Sequence, residues 1–187
     1  MKKIDVVLFA VLASAALAVE AEMSVGAASP YAKQASRPIK ALTAEEVSDL
    51  RSVHGMGLSK AAELNRQPGP RHVLDLAAPL ALTPIQKAEI QAVFDRMDRN
   101  AKEVGSEIVR REQLLDSMFV EGQIPRAEVE HAVSHIAVLQ GKLRFIHIDA
   151  HLQTAQRLTP QQIAVYDRLR GYEQVDQLIA PAVHHNH

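Results

Sequence analysis

The sequence predicts an all-α protein, and two observations lead to that prediction. Alanine, leucine, glutamine, glutamate and arginine dominate the 187 residues, whereas runs of valine, isoleucine and aromatic residues typical of strands are missing. Two long stretches, 82–119 and 126–156, repeat apolar residues at alternating spacings of three and four. Such a seam is typical of a long helix that lies along a partner helix. We therefore expect a long antiparallel helical hairpin with short flanking helices.

The first long helix begins at a capping box. Thr83 has the character of an N-cap, Pro84 falls at the first helical position, and Gln86 is placed to reach back to the Thr83 backbone. The predicted seam of this helix is Ile90, Phe94, Met97, Ala101, Val104 and Ile108. Charged residues separate these positions, and a helix of about 50 Å cannot bury its own apolar stripe. The rest of the chain must therefore supply a partner.

The second long helix supplies that partner. A short interruption over 121–125 contains Gly122 and ends at Pro125, which is suited to the start of a helix. The predicted seam that follows is Val129, Val133, Ile136, Leu139 or Gln140, Leu143, Ile146 and Ala150. Because the connection is so short, the two long helices must lie antiparallel.

Two further capping boxes lie on either side of the hairpin. Thr43 and Glu46 begin a helix that should end at the glycines of residues 54–57, since glycine is unfavourable inside a helix. Thr159 and Gln162 begin the last helix of the domain. We expect all three boxes to act as structural caps.

The N-terminus has the layout of a secretory signal peptide. Lys2 and Lys3 form a basic start, an apolar core follows, and small residues offer cleavage sites after Ala18 or Ala21. The alternative is an uncleaved anchor, but the apolar run is shorter than the roughly 20 residues of a membrane span. The sequence therefore predicts a signal peptide over residues 1–21 and export to the periplasm.

The rest of the chain divides into three parts. Residues 22–41 contain serine and proline without apolar periodicity, which predicts a flexible leader. A single helical domain is expected over residues 42–172, with a proline-glycine turn at 67–70 and an apolar segment at 73–82 that docks on the hairpin. Residues 173–187 are expected to form a flexible tail that ends His184-His185-Asn186-His187.

Composition argues against several classes of function. The chain has no cysteine, which excludes disulfides, thiolate metal sites and cysteine nucleophiles. The formal net charge of −1 gives no indication of a nucleic-acid partner. The sequence contains no P-loop, no dinucleotide-binding fingerprint and no nucleophile elbow. We therefore expect a protein that is not an enzyme and requires no cofactor.

Histidine is the residue type that suggests a metal site. His147 and His151 are four residues apart, and so are His131 and His135, a spacing that places two imidazoles on one helix face. Across the hairpin, His147 and His151 should lie opposite residues 94–98, where carboxylate and thioether side chains are also present. His147 and His151 are therefore the candidate ligands for Zn²⁺, Cu²⁺ or Ni²⁺. The alternative is that they are packed or hydrogen-bonded within the fold.

The boxes at residues 82–86 and 158–162 share the sequence L-T-P-x-Q, and this pair resembles the LTxxQ-motif proteins. That periplasmic group includes the Spy and CpxP chaperones and related metal-sensor and zinc-resistance proteins of the CnrX and ZraP kind. The resemblance covers roughly residues 70–172. It implies a bent helical hairpin, usually dimerised, with a concave face.

Two functions follow from the resemblance as expectations. The first is an ATP-independent chaperone of the Spy/CpxP type, which binds unfolded or stress-exposed periplasmic proteins on an amphipathic helical surface. The alternative is a periplasmic heavy-metal sensor or metal-resistance protein that signals to a membrane partner, which the histidines would favour.

Apolar residues outside the seam suggest a homodimer. They are Val109, Leu114, Met118, Phe119, Ile148 and Leu152. A large exposed apolar patch normally marks an interface, and a two-fold dimer would close it. The competing explanation is that residues 42–82 fold back and cover this surface within one chain.

Overall fold

The structure, a computed structural model, describes residues 29–53, 56–122 and 125–172. The predicted signal peptide, the beginning of the predicted leader and the histidine-containing tail therefore lie outside the described residues. Within the described ranges every regular element is helical, which confirms the all-α prediction. No helix in these ranges combines the length and apolar character needed to cross a bilayer.

The chain divides into two units, residues 1–33 and residues 34–187. A short 3-10 helix over Ala32–Gln34 follows the described turn of the first unit. The α-helices of the second unit are α1 (Ala44–Ser52), α2 (Lys60–Glu63), α3 (Pro70–Asp75), α4 (Pro84–Glu121), α5 (Arg126–Ala155) and α6 (Pro160–Arg170).

Capping boxes begin α1, α4 and α6. In each box the threonine hydroxyl accepts a hydrogen bond from the backbone N–H three residues later, and that residue's side chain accepts one from the threonine N–H. Glycines in the left-handed region end two of these helices, Gly122 with φ 76° and Gly171 with φ 74°. These local signals explain why the boundaries agree closely with the sequence pattern.

The two long helices pack side by side and run in opposite directions. Near the beginning of α4, the Gln86 side-chain amide donates to the Arg157 carbonyl, which follows α5, at 2.8 Å. Further along, Arg96 donates to Gln153 Oε1 at 2.6 Å. Residue 86 thus contacts residue 157, whereas residue 96, further along α4, contacts residue 153, which comes earlier in the chain. This order shows that the two helices are antiparallel.

Two apolar clusters form the core of the second unit. The larger cluster lies between α1, α4 and α5 and contains Ile39, Leu50, Ala101, Val104, Ile108, Val109, Leu139 and Leu143. The smaller cluster joins α3, the beginning of α4 and α6, and contains Val73, Leu80, Ile90, Leu158 and Tyr166. Each cluster therefore joins the hairpin to a flanking segment.

The buried surface of α4 is wider than the predicted seam. Val93, Gly105 and Val109 are buried in addition to the seam residues, whereas Phe94 and Met97 are only half-buried. The reason is that α1 and α3 pack on a second face of α4. The interpretation of Val109 as part of a dimer surface is therefore wrong, because its side chain is 2% exposed under the N-terminal helices.

The core begins before residue 42, where the sequence analysis placed the start of the helical domain. Ile39 is 6% exposed and belongs to the larger cluster. Lys40 follows it and forms an ion pair with Asp116 at 2.9 Å. The end of the predicted flexible leader is therefore a docked segment, which its serine- and proline-rich composition obscured.

The register of α5 resolves the alternative that the sequence left open. Leu139 is buried and Gln140 is exposed. Val133, which the pattern placed in the seam, is 50% exposed because it lies near the end of the hairpin, beyond the flanking helices. His151 and Thr154 extend the buried face of α5 toward its C-terminus instead.

Candidate functional site

An open chamber of about 780 Å³ lies between the long helices and the segment that contains α2 and α3. Its polar lining includes three imidazoles and three carboxylates, contributed by His72, His147, His151, Glu63, Asp75 and Asp98. Met56, Met97 and Phe94 add thioether and aromatic surface. The structure thus brings His147 and His151 to the same chamber as the residues opposite them on α4.

His151 is held in place as a structural side chain. It is 7% exposed, and its Nδ1 donates to the Gln67 carbonyl at 2.7 Å, so the proton lies on Nδ1. The opposite edge of the ring faces Gly69, where an added Cβ would lie 2.8 Å from Cε1 and Nε2. The ring is therefore enclosed on both sides, which matches the packed alternative for this residue better than an open metal ligand.

His147 differs from His151 in its hydrogen bonding. Its Nε2 is buried and has no hydrogen-bond partner within the part of the chain that the structure describes. Burial lowers the pKa of His147, and the neighbouring His151 lowers it further. The imidazole is therefore kept neutral, which is the form that ligates metals.

The geometry of the whole chamber does not assemble a metal centre. Across residues 29–53, 56–122 and 125–172, no three histidine, aspartate or glutamate side chains are close enough together to hold an ion. His131 and His135 lie on the outer part of α5 with ring centroids 6.3 Å apart. The histidines of the tail lie outside the described residues. Of His147 and His151, His147 is thus the one whose surroundings leave a ring nitrogen without a described partner.

Glu63 connects α2 to three other parts of the fold. Its Oε1 accepts hydrogen bonds from the hydroxyls of Tyr166 at 2.5 Å and Tyr172 at 3.1 Å. Its Oε2 accepts one from the Gly69 N–H at 3.2 Å. Burial raises the pKa of Tyr166, and the bond to Glu63 raises it further, so the phenol remains a donor. The carboxylate therefore links α2 to the turn at Gly69 and to the end of the chain's last described helix.

The two L-T-P-x-Q boxes contact each other directly. Gln86 Nε2 donates to Gln162 Oε1 at 2.9 Å, and Gln162 Nε2 donates back to Gln86 Oε1 at 3.1 Å. The second proton of each amide goes to a backbone carbonyl, of Arg157 for Gln86 and of Leu80 for Gln162. Each side chain therefore caps its own helix and also ties the beginning of α4 to the beginning of α6.

The face of α5 that points away from the core is apolar. We define the outer stripe as Val138, Gly141, Phe145, Ile148 and Leu152, which follow one another at spacings of 3, 4, 3 and 4. Val138 is 68%, Phe145 62% and Leu152 41% exposed. At 3.6 residues per turn these positions lie about half a turn from the buried residues of the same helix.

Charged side chains border the outer stripe. Lys142 and Arg144 are exposed on the same helix, and Asp149 is half-buried beside Ile148. The outer stripe repeats with the period of a helix–helix seam, yet α4 and the flanking helices pack on the opposite side of α5. The arrangement provides an amphipathic surface suited to binding apolar segments of another chain.

Comparison of the chain with models of protein families, with curated proteins and with solved structures finds no significant match. The likeness to the LTxxQ-motif proteins therefore depends on the motifs and their placement.

Sequence reasoning missed three features of these sites. It did not foresee the bridge between Gln86 and Gln162, the role of Glu63, or the outer stripe as a continuous surface. A signal existed for the first, because both boxes carry glutamine where the α1 box carries Glu46, and only an amide has protons to donate. For the second there was no signal, since the tyrosines lie about a hundred residues away from Glu63.

Proposed function

We propose that the protein is a periplasmic, ATP-independent chaperone of the Spy/CpxP type that holds unfolded clients on the outer stripe of α5. The observation that supports this proposal is the exposure of Val138, Phe145 and Leu152 along one helix face that faces away from the core. Unfolded chains expose apolar side chains, and burying such area contributes about 25 cal/mol per Å². A rigid apolar stripe offers that gain without specifying a sequence.

The borders of the outer stripe suit weak and reversible binding. Lys142 and Asp149 place opposite charges beside it, which keeps the surface hydrated and accepts polar parts of a client. Nothing in this mode of binding needs nucleotide, and the absence of a P-loop from the sequence agrees with that. The signal-peptide pattern of residues 1–21 supports a periplasmic location, where an ATP-independent mechanism is required.

Suppression of aggregation tests the proposal. The mature protein, residues 22–187, is mixed at several-fold molar excess with a denatured client in EDTA without nucleotide, and light scattering is followed. We expect suppression by the natural protein and a large loss with Phe145→Ser. Phe119→Ser is the matched control, because Phe119 is 58% exposed but lies on α4, outside the outer stripe.

Neither phenylalanine is buried, so both variants should keep the melting temperature of the natural protein within a few degrees. Failure of the natural protein to suppress aggregation would contradict the proposal. Equal losses in the two variants would contradict the assignment to the outer stripe.

A second candidate function is a metal sensor or metal-resistance protein that signals to a membrane partner. The observation that favours it is His147, whose buried Nε2 has no described hydrogen-bond partner and which lines the same chamber as Met97 and Asp98. Titration of a version without the tail, residues 22–172, with Zn²⁺, Cu²⁺ and Ni²⁺ tests this candidate. Stoichiometric binding that His147→Gln abolishes would favour it over the chaperone.

A further inference from the structure

A second cleft, of about 390 Å³, lies between α1, α4 and α5 and has no part in the proposed function. Its apolar lining is formed by Leu42, Leu50, Met56, Leu58, Ile108 and Leu143. Its polar lining, among the residues that the structure describes, is Glu46, Asp49, Glu112 and Gln140. We call it the acidic cleft. Its volume falls in the range of sites that bind small ligands or single side chains of a partner.

The described lining of the acidic cleft is negatively charged, and Arg37, outside that lining, acts on one of its carboxylates, Glu46. The lining includes three carboxylates, and none of the described lining residues is lysine, arginine or histidine. The Glu46 carboxylate is ionised, because its hydrogen bonds with Thr43 lower its pKa. The carboxylates thus surround an apolar floor, a combination that favours a ligand with both an apolar group and a positive charge.

Glu112 is the carboxylate with the strongest need for a partner. It is half-buried on α4, and no hydrogen bond or ion pair joins it to another described residue. Burial alone raises its pKa, so its charge is partly desolvated and uncompensated. A group held in this way weakens the free protein slightly and gains from any cation that reaches it.

The chain itself shows which chemistry suits this side of α4. Asp116 lies one turn beyond Glu112, and it is occupied by the segment that contains Ile39 and Lys40. Ile39 is buried in the core, while Lys40 donates to Asp116 through its backbone N–H at 3.2 Å and its ammonium at 2.9 Å. An apolar residue followed by lysine therefore docks there, and the equivalent carboxylate one turn earlier has no such partner.

We infer that the acidic cleft binds peptide segments in which an apolar side chain is followed directly by lysine or arginine. The apolar side chain fills the space above Ile108 and Leu143, and the cation pairs with Glu112, with Asp49 and Glu46 at the border of the cleft. An acidic segment would place like charges together and would be rejected. This inference does not depend on the proposed function, because it concerns short peptides and a different surface.

The test uses two fluorescein-labelled peptides of equal length, one alternating leucine with lysine and the other alternating leucine with glutamate. Fluorescence anisotropy is measured with the mature protein up to millimolar concentration at low and physiological salt. We expect binding of the lysine peptide, at least tenfold weaker binding of the glutamate peptide, and weaker binding of the lysine peptide at higher salt.

Glu112→Gln tests the assigned residue, and Glu103→Gln is the matched control. Glu103 is exposed on the same helix, outside the acidic cleft. Glu112→Gln should weaken the lysine peptide about fivefold, the effect of a partly solvated ion pair. It should leave a leucine–glutamine peptide unchanged and should not lower the melting temperature. Glu103→Gln should leave binding of all the peptides unchanged.

Four results would overturn the inference. They are no binding of the lysine peptide at millimolar concentration, equal binding of the lysine and glutamate peptides, equal effects of the two variants, and loss of binding in Asp116→Asn but not in Glu112→Gln. The last result would show that the peptide only displaces the chain's own residues 37–42. As a stronger test, the charge-reversing variant Glu112→Lys should abolish binding of the lysine peptide, because it places two positive charges together.

Discussion

Replacing Gly105 with alanine should separate α1 from α4, and the structure gives the size of the effect. Gly105 is buried in the middle of α4, and a Cβ built on it would lie 1.8 Å from the Leu50 carbonyl oxygen and 2.8 Å from its carbon. Because the obstacle is backbone, no side-chain rotation relieves it. The end of α1 would have to move by roughly 1.5 Å, which disturbs Leu50 and the larger cluster.

Two opposing terms set the expected magnitude. Overpacking of this kind costs about 3 kcal/mol, at the upper end of its usual range, because backbone must move. Alanine regains about 1 kcal/mol of helix propensity over glycine. The net loss of about 2 kcal/mol corresponds to a fall of roughly 4–8 °C in the melting temperature of a protein of this size.

Gly141→Ala is the matched control for Gly105→Ala. Gly141 lies in the outer stripe of α5, and a Cβ there would meet nothing within 4 Å. Only the higher helix propensity of alanine then matters, so we expect the free energy of unfolding to rise by up to about 1 kcal/mol. Both variants are measured by thermal and urea unfolding followed by circular dichroism. If Gly105→Ala were as stable as the natural protein, the described packing of α1 on α4 would be wrong.

Three further predictions concern the caps, the chamber and the oligomeric state. Thr83→Ala should lower the free energy of unfolding by about 1 kcal/mol through the lost cap of α4, without changing client binding; lost activity at unchanged stability would contradict this. Burial lowers the pKa of His147, so the unfolded chain takes up its proton below about pH 6.5 while the folded chain does not, and stability should fall between pH 7 and pH 5. His147→Gln should make that fall smaller in urea unfolding at each pH, and an unchanged slope would argue against the buried neutral imidazole. Sedimentation equilibrium should show a dimer for the mature protein and for a version without residues 22–70, and the interface should leave out Ile148 and Leu152 of the predicted dimer surface, because both lie in the outer stripe assigned to clients; monomers in both would contradict the homodimer, and a dimer only after truncation would show that the N-terminal helices cover the interface.

The elements of the fold could be read from local sequence. The boxes at Thr43, Thr83 and Thr159 are hydrogen-bonded within four residues, so their geometry depends on nothing distant. The same holds for Gly122 and Gly171, whose positive φ ends a helix wherever it occurs. The two long helices each have an apolar seam with a spacing of three and four. Packing the helices against each other as an antiparallel hairpin buries both seams.

Contacts between distant segments could not be read in this way. The pattern around Gly105 shows a glycine in a helix, but only the structure shows that the Leu50 backbone lies against it. Ile39 sits in a proline- and serine-rich stretch whose composition gives no hint of burial. In both cases the deciding interaction is with a residue tens of positions away, and a single sequence does not encode that pairing in any local period.

Part of the chamber lining could be predicted from the sequence, and part depends on contacts between distant segments. A hairpin places His147 opposite Met97 and Asp98, and all three line the chamber. The pattern could not show that Gly69 and Gln67 would enclose His151, because these residues come from the flanking segment. On α5 the sequence contains two apolar periodicities, and which one faces the core depends on where α4 packs.

Site-specific photo-crosslinking at position 145 is the most direct test of the central claim that the outer stripe holds non-native clients. A benzophenone side chain replaces Phe145 in one protein and Glu103, which is exposed on α4, in a control. Each is irradiated with a reduced, unfolded client or with the same client in its native state, without nucleotide. We expect crosslinks to the unfolded client from position 145 alone, and few to the native client. Equal crosslinking from both positions, or crosslinks from position 145 only to a second copy of the protein, would contradict the claim.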